Sequence, residues 1–162
     1  MESDLGLLPA IEQAAAQLFA GYGGSESDDA LVSEDAEALA RALAEGRVWV
    51  AAFHGEPVGF ALATIVDGCG HVHEIDVLPR YGRHGLGRAL MDAVCAWAAG
   101  RRFPAVTLST RLDVPFNGPF YARLGFAVLR DAQLTPGLRR LRTEEAARGL
   151  AIDRRAIMRL TL

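Results

Sequence analysis

The stretch His71-Val72-His73-Glu74-Ile75-Asp76-Val77-Leu78-Pro79-Arg80-Tyr81-Gly82-Arg83-His84-Gly85-Leu86-Gly87-Arg88-Ala89-Leu90 decides how this chain is read. Its apolar and β-branched residues up to Pro79 predict a strand over 71–78. Glycines at 82, 85 and 87 then predict a loop, and Leu90, Met91, Val94, Cys95, Trp97 and Ala98 recur at helical spacing as far as Gly100. Strand, glycine loop and helix form one unit. Residues without a Cβ admit positive φ, let successive main-chain N–H groups converge, and let a ligand approach the backbone closely. The helix start adds unpaired first-turn N–H groups and a positive dipole end, a combination suited to a phosphate or pyrophosphate. The glycine order G-x-x-G-x-G differs from the G-x-G-x-x-G of dinucleotide-binding folds. A turn that merely allows strand and helix to pack closely is the simpler alternative.

Working outward, a strand is expected over 105–110. The helix that connects it to 71–78 makes the two strands parallel by the right-handed crossover rule. Upstream, 48–53 and 58–66 are β-rich runs around His54-Gly55-Glu56-Pro57, which has the residues of a hairpin turn, and Asp67-Gly68-Cys69-Gly70 reads as a second turn. Two helices are expected before them. The first covers 7–22, with Pro9 in its first turn and Gly21, Gly23 and Gly24 closing it; the second runs from a Ser33 cap, through Glu34 and Asp35, to Gly46. Downstream come a short helix over 115–124, a strand over 126–129, a helix over 138–148 and a strand over 157–162. Linkers are expected at 23–32 and 131–137.

The chain has 162 residues, 51% of them hydrophobic, so a single domain over 1–162 can bury a core without disulfides or a structural metal, and Cys69 and Cys95 read as reduced thiols. No uninterrupted apolar run approaches the roughly 18 residues of a membrane helix, and no charged leader precedes an apolar stretch. The expectation is a cytoplasmic protein with no membrane partner.

All 17 basic residues are arginine. Without lysine there is no Walker-type phosphate loop, no Schiff base to pyridoxal phosphate and no lysine nucleophile. Residues 1–46 hold ten Asp/Glu and one Arg, residues 47–100 five and four, and residues 101–162 five and twelve, which together give the net charge of −3. Solvated helical faces explain this division most simply. The functional alternative is an acidic lip for a cationic substrate and a basic side for an anionic cofactor. Nucleic acid is disfavoured as a partner by the pI of about 5.8 and by aromatic residues that do not interleave with the arginines. Cys69, His71 and His73 alternate along one strand with the spacing of soft metal ligands, but no fourth ligand is evident, and no metal is expected.

The stretch 71–90, taken with Phe120-Tyr121-Ala122-Arg123-Leu124-Gly125-Phe126, resembles the GCN5-related N-acetyltransferase (GNAT) superfamily. The resemblance implies an α+β, three-layer GNAT-like fold: a mixed central sheet splayed between strands 71–78 and 105–110, with helices on both faces. It implies acetyl-CoA as donor substrate, its pyrophosphate on the amides of Arg83, His84, Gly85, Leu86, Gly87 and Arg88. It also implies that Ile75, Asp76 and Val77 offer backbone groups to pantetheine. Two positions depart from the family pattern. The Gln/Arg that opens the family loop falls at Gly82, one place before Arg83, and the Asn usually found seven residues before the Tyr falls at Val114. Asn117, four residues before Tyr121, is the candidate in its place. The family's first strand would fall on residues 1–6.

The implied reaction is acetyl transfer to a primary amine of a small molecule or peptide, by direct attack in a ternary complex. Tyr121 is the candidate general acid, although a tyrosine packed beside Phe120 and Phe126 could be purely structural. Glu74 is favoured as base over His73, with His71 and Asp76 also available; a bulge in this strand would exchange its faces midway. A non-catalytic coenzyme A binding or sensing module is the alternative. The oligomeric state is open, and a homodimer is one possibility.

Overall fold

The computed structural model describes residues 6–22 and 36–162. Its elements are α1 (Leu8–Ala16), α2 (Ala36–Ala44), β1 (Val48–Phe53), β2 (Glu56–Val66), β3 (Cys69–Val77), α3 (Leu86–Gly100), β4 (Ala105–Arg111), α4 (Gly118–Arg123), β5 (Ala127–Val128), α5 (Pro136–Ala147) and β6 (Arg155–Thr161). The strands form one mixed sheet in the order β1-β2-β3-β4-β6-β5. All pairs are antiparallel except β3 with β4, which is parallel as the crossover through α3 requires.

Alternation along β2 divides the core. Ala61 and Ala63 pack with Leu90, Met91, Val94 and Ala98 of α3, while Phe60 and Leu62 pack with Leu8 and Ile11 of α1 and Leu39 and Ala42 of α2. Helices thus cover both faces, and small residues on the α3 face let that helix approach the sheet.

Both early turns are two-residue hairpins with positive φ at each position: His54 (50°) and Gly55 (87°), then Asp67 (48°) and Gly68 (75°). Such a turn needs no further residues, so Glu56, Pro57, Cys69 and Gly70, expected in turns, lie in strands. The helix expected over 115–124 begins at Gly118, because Asn117 is held in a turn whose amide donates to the Val114 carbonyl. The strand expected over 126–129 is reduced to Ala127–Val128: the Phe126 amide donates to the Tyr121 carbonyl and closes α4 through Gly125, at φ 98°. The first-strand segment 1–6 falls almost wholly, and the Ser33-Glu34-Asp35 cap and the whole 23–32 linker, with Gly23 and Gly24, fall wholly, outside the described residues. Among those described, no helix is long and apolar enough to cross a membrane.

Candidate active site

The splay follows directly from strand register. β3 pairs with β4 only at Gly70, His71 and Val72, although β4 continues beyond Leu108 to Arg111. Past Val72 the two strands part. On its other side β3 stays in register with β2 as far as Val77, and the Leu78 amide donates to the Val58 carbonyl. Antiparallel alternation from that bonded pair gives the main chains of Asp76 and Glu74 to β2 and turns those of Ile75 and Val77 toward the gap. A Cβ on Gly59 would lie 2.7 Å from the Asp76 carbonyl oxygen, so glycine is needed where β2 and β3 run so close. Ile75 and Val77 therefore offer main-chain groups to the gap, and Asp76 offers its side chain.

A cavity of about 720 Å³ opens on this gap. Its sheet wall is Ile75, Asp76 and Val77, and its α4 wall includes Asn117, Phe120 and Tyr121. Its floor is the glycine loop, where Gly82, Arg83, Gly85, Leu86, Gly87 and Arg88 line it. The loop is open rather than packed shut: Gly82, Arg83, His84 and Gly85 are exposed. Arg83 (φ 65°) and Gly85 (φ 79°) are left-handed, a backbone shape that gathers N–H groups into a concavity, and α3 starts immediately after. His84 leaves the cavity and donates from Nδ1 to the Gly82 carbonyl at 2.8 Å, bracing the loop. Val114 is wholly buried, whereas Asn117 sits at the mouth of α4. The sequence motifs did not mark the remaining wall, Ala15, Leu18 and Phe19 of the first helical segment, with Phe19 edge-on to Phe116 at 5.1 Å.

The bulge expected in β3 falls at His73: Leu62 pairs with Glu74 and Ala63 with Val72, leaving His73 as the extra residue. Val72 and Ile75 both pack toward α3 although they are three residues apart. His73 and Glu74 therefore share the opposite face, with His71 before them and Asp76 after. Alternation alone had separated these groups.

His71 is buried, donating from Nδ1 to the Thr107 hydroxyl at 2.8 Å while that hydroxyl donates to the Gly70 carbonyl. Burial, reinforced by His73, pushes its pKa down to about 3, so it is neutral and fixed. His73 is reached by solvent, but desolvation by the surrounding walls, then the charges of Arg148 and Arg47, lower its pKa. It is a neutral imidazole at pH 7. Tyr121 is buried, edge-on to Phe120 at 5.2 Å and Phe126 at 6.0 Å. Burial and the carboxylates of Glu74 and Asp76 raise its pKa above the ordinary phenol value, against the opposing charge of Arg155. It is both a packed core tyrosine and a phenol that keeps its proton. Cys69 lies at the strand's start and His71 is engaged by Thr107. Among the described residues no group of three or more His, Cys, Asp and Glu could hold a metal ion.

A second cavity, about 680 Å³, lies on the α2 and α5 side of the sheet and is lined by His71 and His73. Arg155, at the start of β6, reaches it and donates to the Ser109 carbonyl and to Glu145. No motif in the sequence pointed to Arg155, which is 34 positions from the tyrosine it influences.

Residues 11–126 match the model of the acetyltransferase (GNAT) family. The chain belongs to the GNAT family. Solved GNAT-like structures agree in fold. A GNAT-family acetyltransferase of Staphylococcus aureus Mu50 superposes with a TM-score of 0.75 at 15% identity, over 100% of this chain and 95% of that one. The PaiA N-acetyltransferase of Thermoplasma acidophilum, solved with coenzyme A, gives 0.72 at 14% identity over 99% and 94%. An acetyl-coenzyme A complex of a Bacillus anthracis protein gives 0.56 at 19% identity, over 71% of this chain and 61% of that one. In this GNAT chain the opened loop, the splay and Tyr121 adjoin a single cavity.

Proposed function

We propose that the chain is an acetyl-CoA-dependent N-acetyltransferase whose acceptor is a primary amine of a small molecule or peptide. The observation that carries this reading is the break in β3–β4 pairing after Val72. It turns the main chains of Ile75 and Val77 toward a gap that has the glycine loop on one side and the bulge face on the other. Acetyl-CoA, when bound, supplies an activated acetyl thioester. The amides at the start of α3 suit its diphosphate, and an N–H facing the gap suits the acetyl oxygen.

An amine with a pKa near 10.4 must lose a proton before it attacks. Neutral His73 and Glu74, brought to one face by the bulge, are the bases available, directly or through water. As the C–N bond forms and the C–S bond breaks, the departing thiolate takes its proton from Tyr121. Neither Cys69 nor Cys95 lines the donor cavity, which favours direct attack over a cysteine relay.

The test is acetyl-CoA turnover over an amine panel, with coenzyme A affinity measured by calorimetry on the same variants. Tyr121→Phe should lower kcat by about 100-fold or more with affinity retained, and His73→Gln or Glu74→Gln should do the same for whichever group is the base. Unchanged kcat in all three variants overturns these roles. Tight coenzyme A binding with no acceptor acetylated favours a sensing module instead.

A further inference from the structure

The cavity on the α2 and α5 side carries a charge pattern that a coenzyme A donor does not use. Five arginines line it: Arg41 of α2, Arg47 before β1, Arg140 and Arg148 on and just after α5, and Arg155 of β6. Three carboxylates line it as well, Asp67, Glu144 and Glu145.

Two of those carboxylates are already engaged. Asp67 accepts the Gly137 amide at 2.7 Å, and Glu145 accepts from Arg155 at 3.3 Å. In the acidic N-terminal third, Glu37 offsets Arg41 at 3.7 Å and Glu45 offsets Arg47 at 2.7 Å, while Glu12 is buried in α1, so the positive charge of the wall rests mainly on α5 and β6. None of these three lines the cavity. At His73, on the bulge itself, desolvation is the main cause of the lowered pKa, and the charges of Arg148 and Arg47 add to it where an acceptor amine would approach.

We propose, building on the acetyltransferase reading, that the acceptor amine also carries an anionic group, a carboxylate or phosphate, which the arginine wall of this cavity receives. The physical argument has two parts. A plain cationic amine entering a positive field is repelled, whereas an anionic group on the same molecule cancels that repulsion and adds charge-assisted hydrogen bonds. The same field, acting at the bulge, favours the uncharged form of the amine over its ammonium form, which is the form that attacks. Arg140, on α5, and Arg148, at its C-cap in helical φ/ψ, lie eight residues apart with Glu144 midway, so they follow one another along the same side at helical spacing.

The test compares kcat/KM for matched acceptors: amino acids, their amides, the amines that lack the carboxyl group, and aminoalkyl phosphates. The anionic member of each set should exceed its neutral counterpart by about 10- to 100-fold. The carboxylate and phosphate arms identify which anion is read. Arg148→Gln should shrink that preference, Arg148→Lys should retain part of it, and Arg140→Gln, at an exposed position, provides a second variant whose folding is least at risk. Calorimetric binding of the N-acetylated anionic product should weaken in parallel. Acetylation of neutral amines as efficiently as anionic ones, or a preference unaltered in both glutamine variants, overturns this inference alone. Failure to acetylate any amine overturns the acetyltransferase reading, and this inference with it.

Discussion

His71 sits in the fold as a buried, neutral ring. Its position in the decisive strand made it a candidate base and a candidate metal ligand, yet its Nδ1 is given to Thr107 and its ring is buried. Its consequence is for stability. An unfolded histidine takes up a proton near pH 6.5, whereas in the fold this one resists protonation down to about pH 3. Between those values the unfolded state binds more protons, so stability rises with pH and is lost on acidification through that window. The slope from this one group is on the order of 1 kcal/mol per pH unit at most. Urea unfolding at pH 7, 6 and 5 should show declining stability. His71→Gln should flatten the decline in a range where most carboxylates remain ionised. Equal slopes in wild type and variant would exclude the buried imidazole as its source. Tyr121 was easier to read, because Gly125 and Phe126 follow it at a recognisable spacing and the fold needs both to close α4.

At the scale of elements, the strands and helices were legible wherever periodicity ran long, and 48–53 was read to the residue. The location of the bulge was not, because it depends on which residues of β2 face β3, and a single strand does not carry that information. The start of α5 was also misjudged by two residues, for a reason that leads to a prediction. Its own Thr135 makes no side-chain cap; Asp67, in the β2–β3 turn, donates that cap from a distance by accepting the Gly137 amide. The Thr135 hydroxyl and then the Gly137 amide hold the Asp67 carboxyl below its usual pKa. A Cβ at Gly137 would fall within 2.8 Å of all three carboxyl atoms of Asp67, so no larger residue fits there without displacing the cap. Asp67→Ala should cost about 1 kcal/mol in thermal or urea unfolding. Gly137→Ala should be comparably destabilising despite the better helix propensity of alanine. A stabilised Gly137→Ala would mean that Asp67 does not cap this helix.

On the scale of the whole molecule, the sheet is two halves joined through three residue pairs, Gly70 with Val106, His71 with Thr107 and Val72 with Leu108. A strand-glycine-helix unit could announce the loop, but the charge of the opposite cavity is assembled from α2, the start of β1, α5 and β6, segments separated by up to 114 positions from Arg41 to Arg155. Summing charge along the sequence could not reveal that, since the acidic third and the cavity wall share few described residues. The divided sheet has its own measurable signature. Because alternation turns the Ile75 and Val77 amides toward the gap and leaves the Asp76 amide in the β2 ladder, hydrogen exchange in the free protein should be fast at 75 and 77 and slow at 76. Adding coenzyme A should slow exchange at 75 and 77 by about tenfold or more, the protection expected from a bonded amide, with little change at 76. Protection confined to the glycine loop, with Ile75 and Val77 unaffected by saturating coenzyme A, would show that the ligand docks its diphosphate without entering the splay. The alignment of donor and acceptor across the sheet would then have to be rebuilt from another opening.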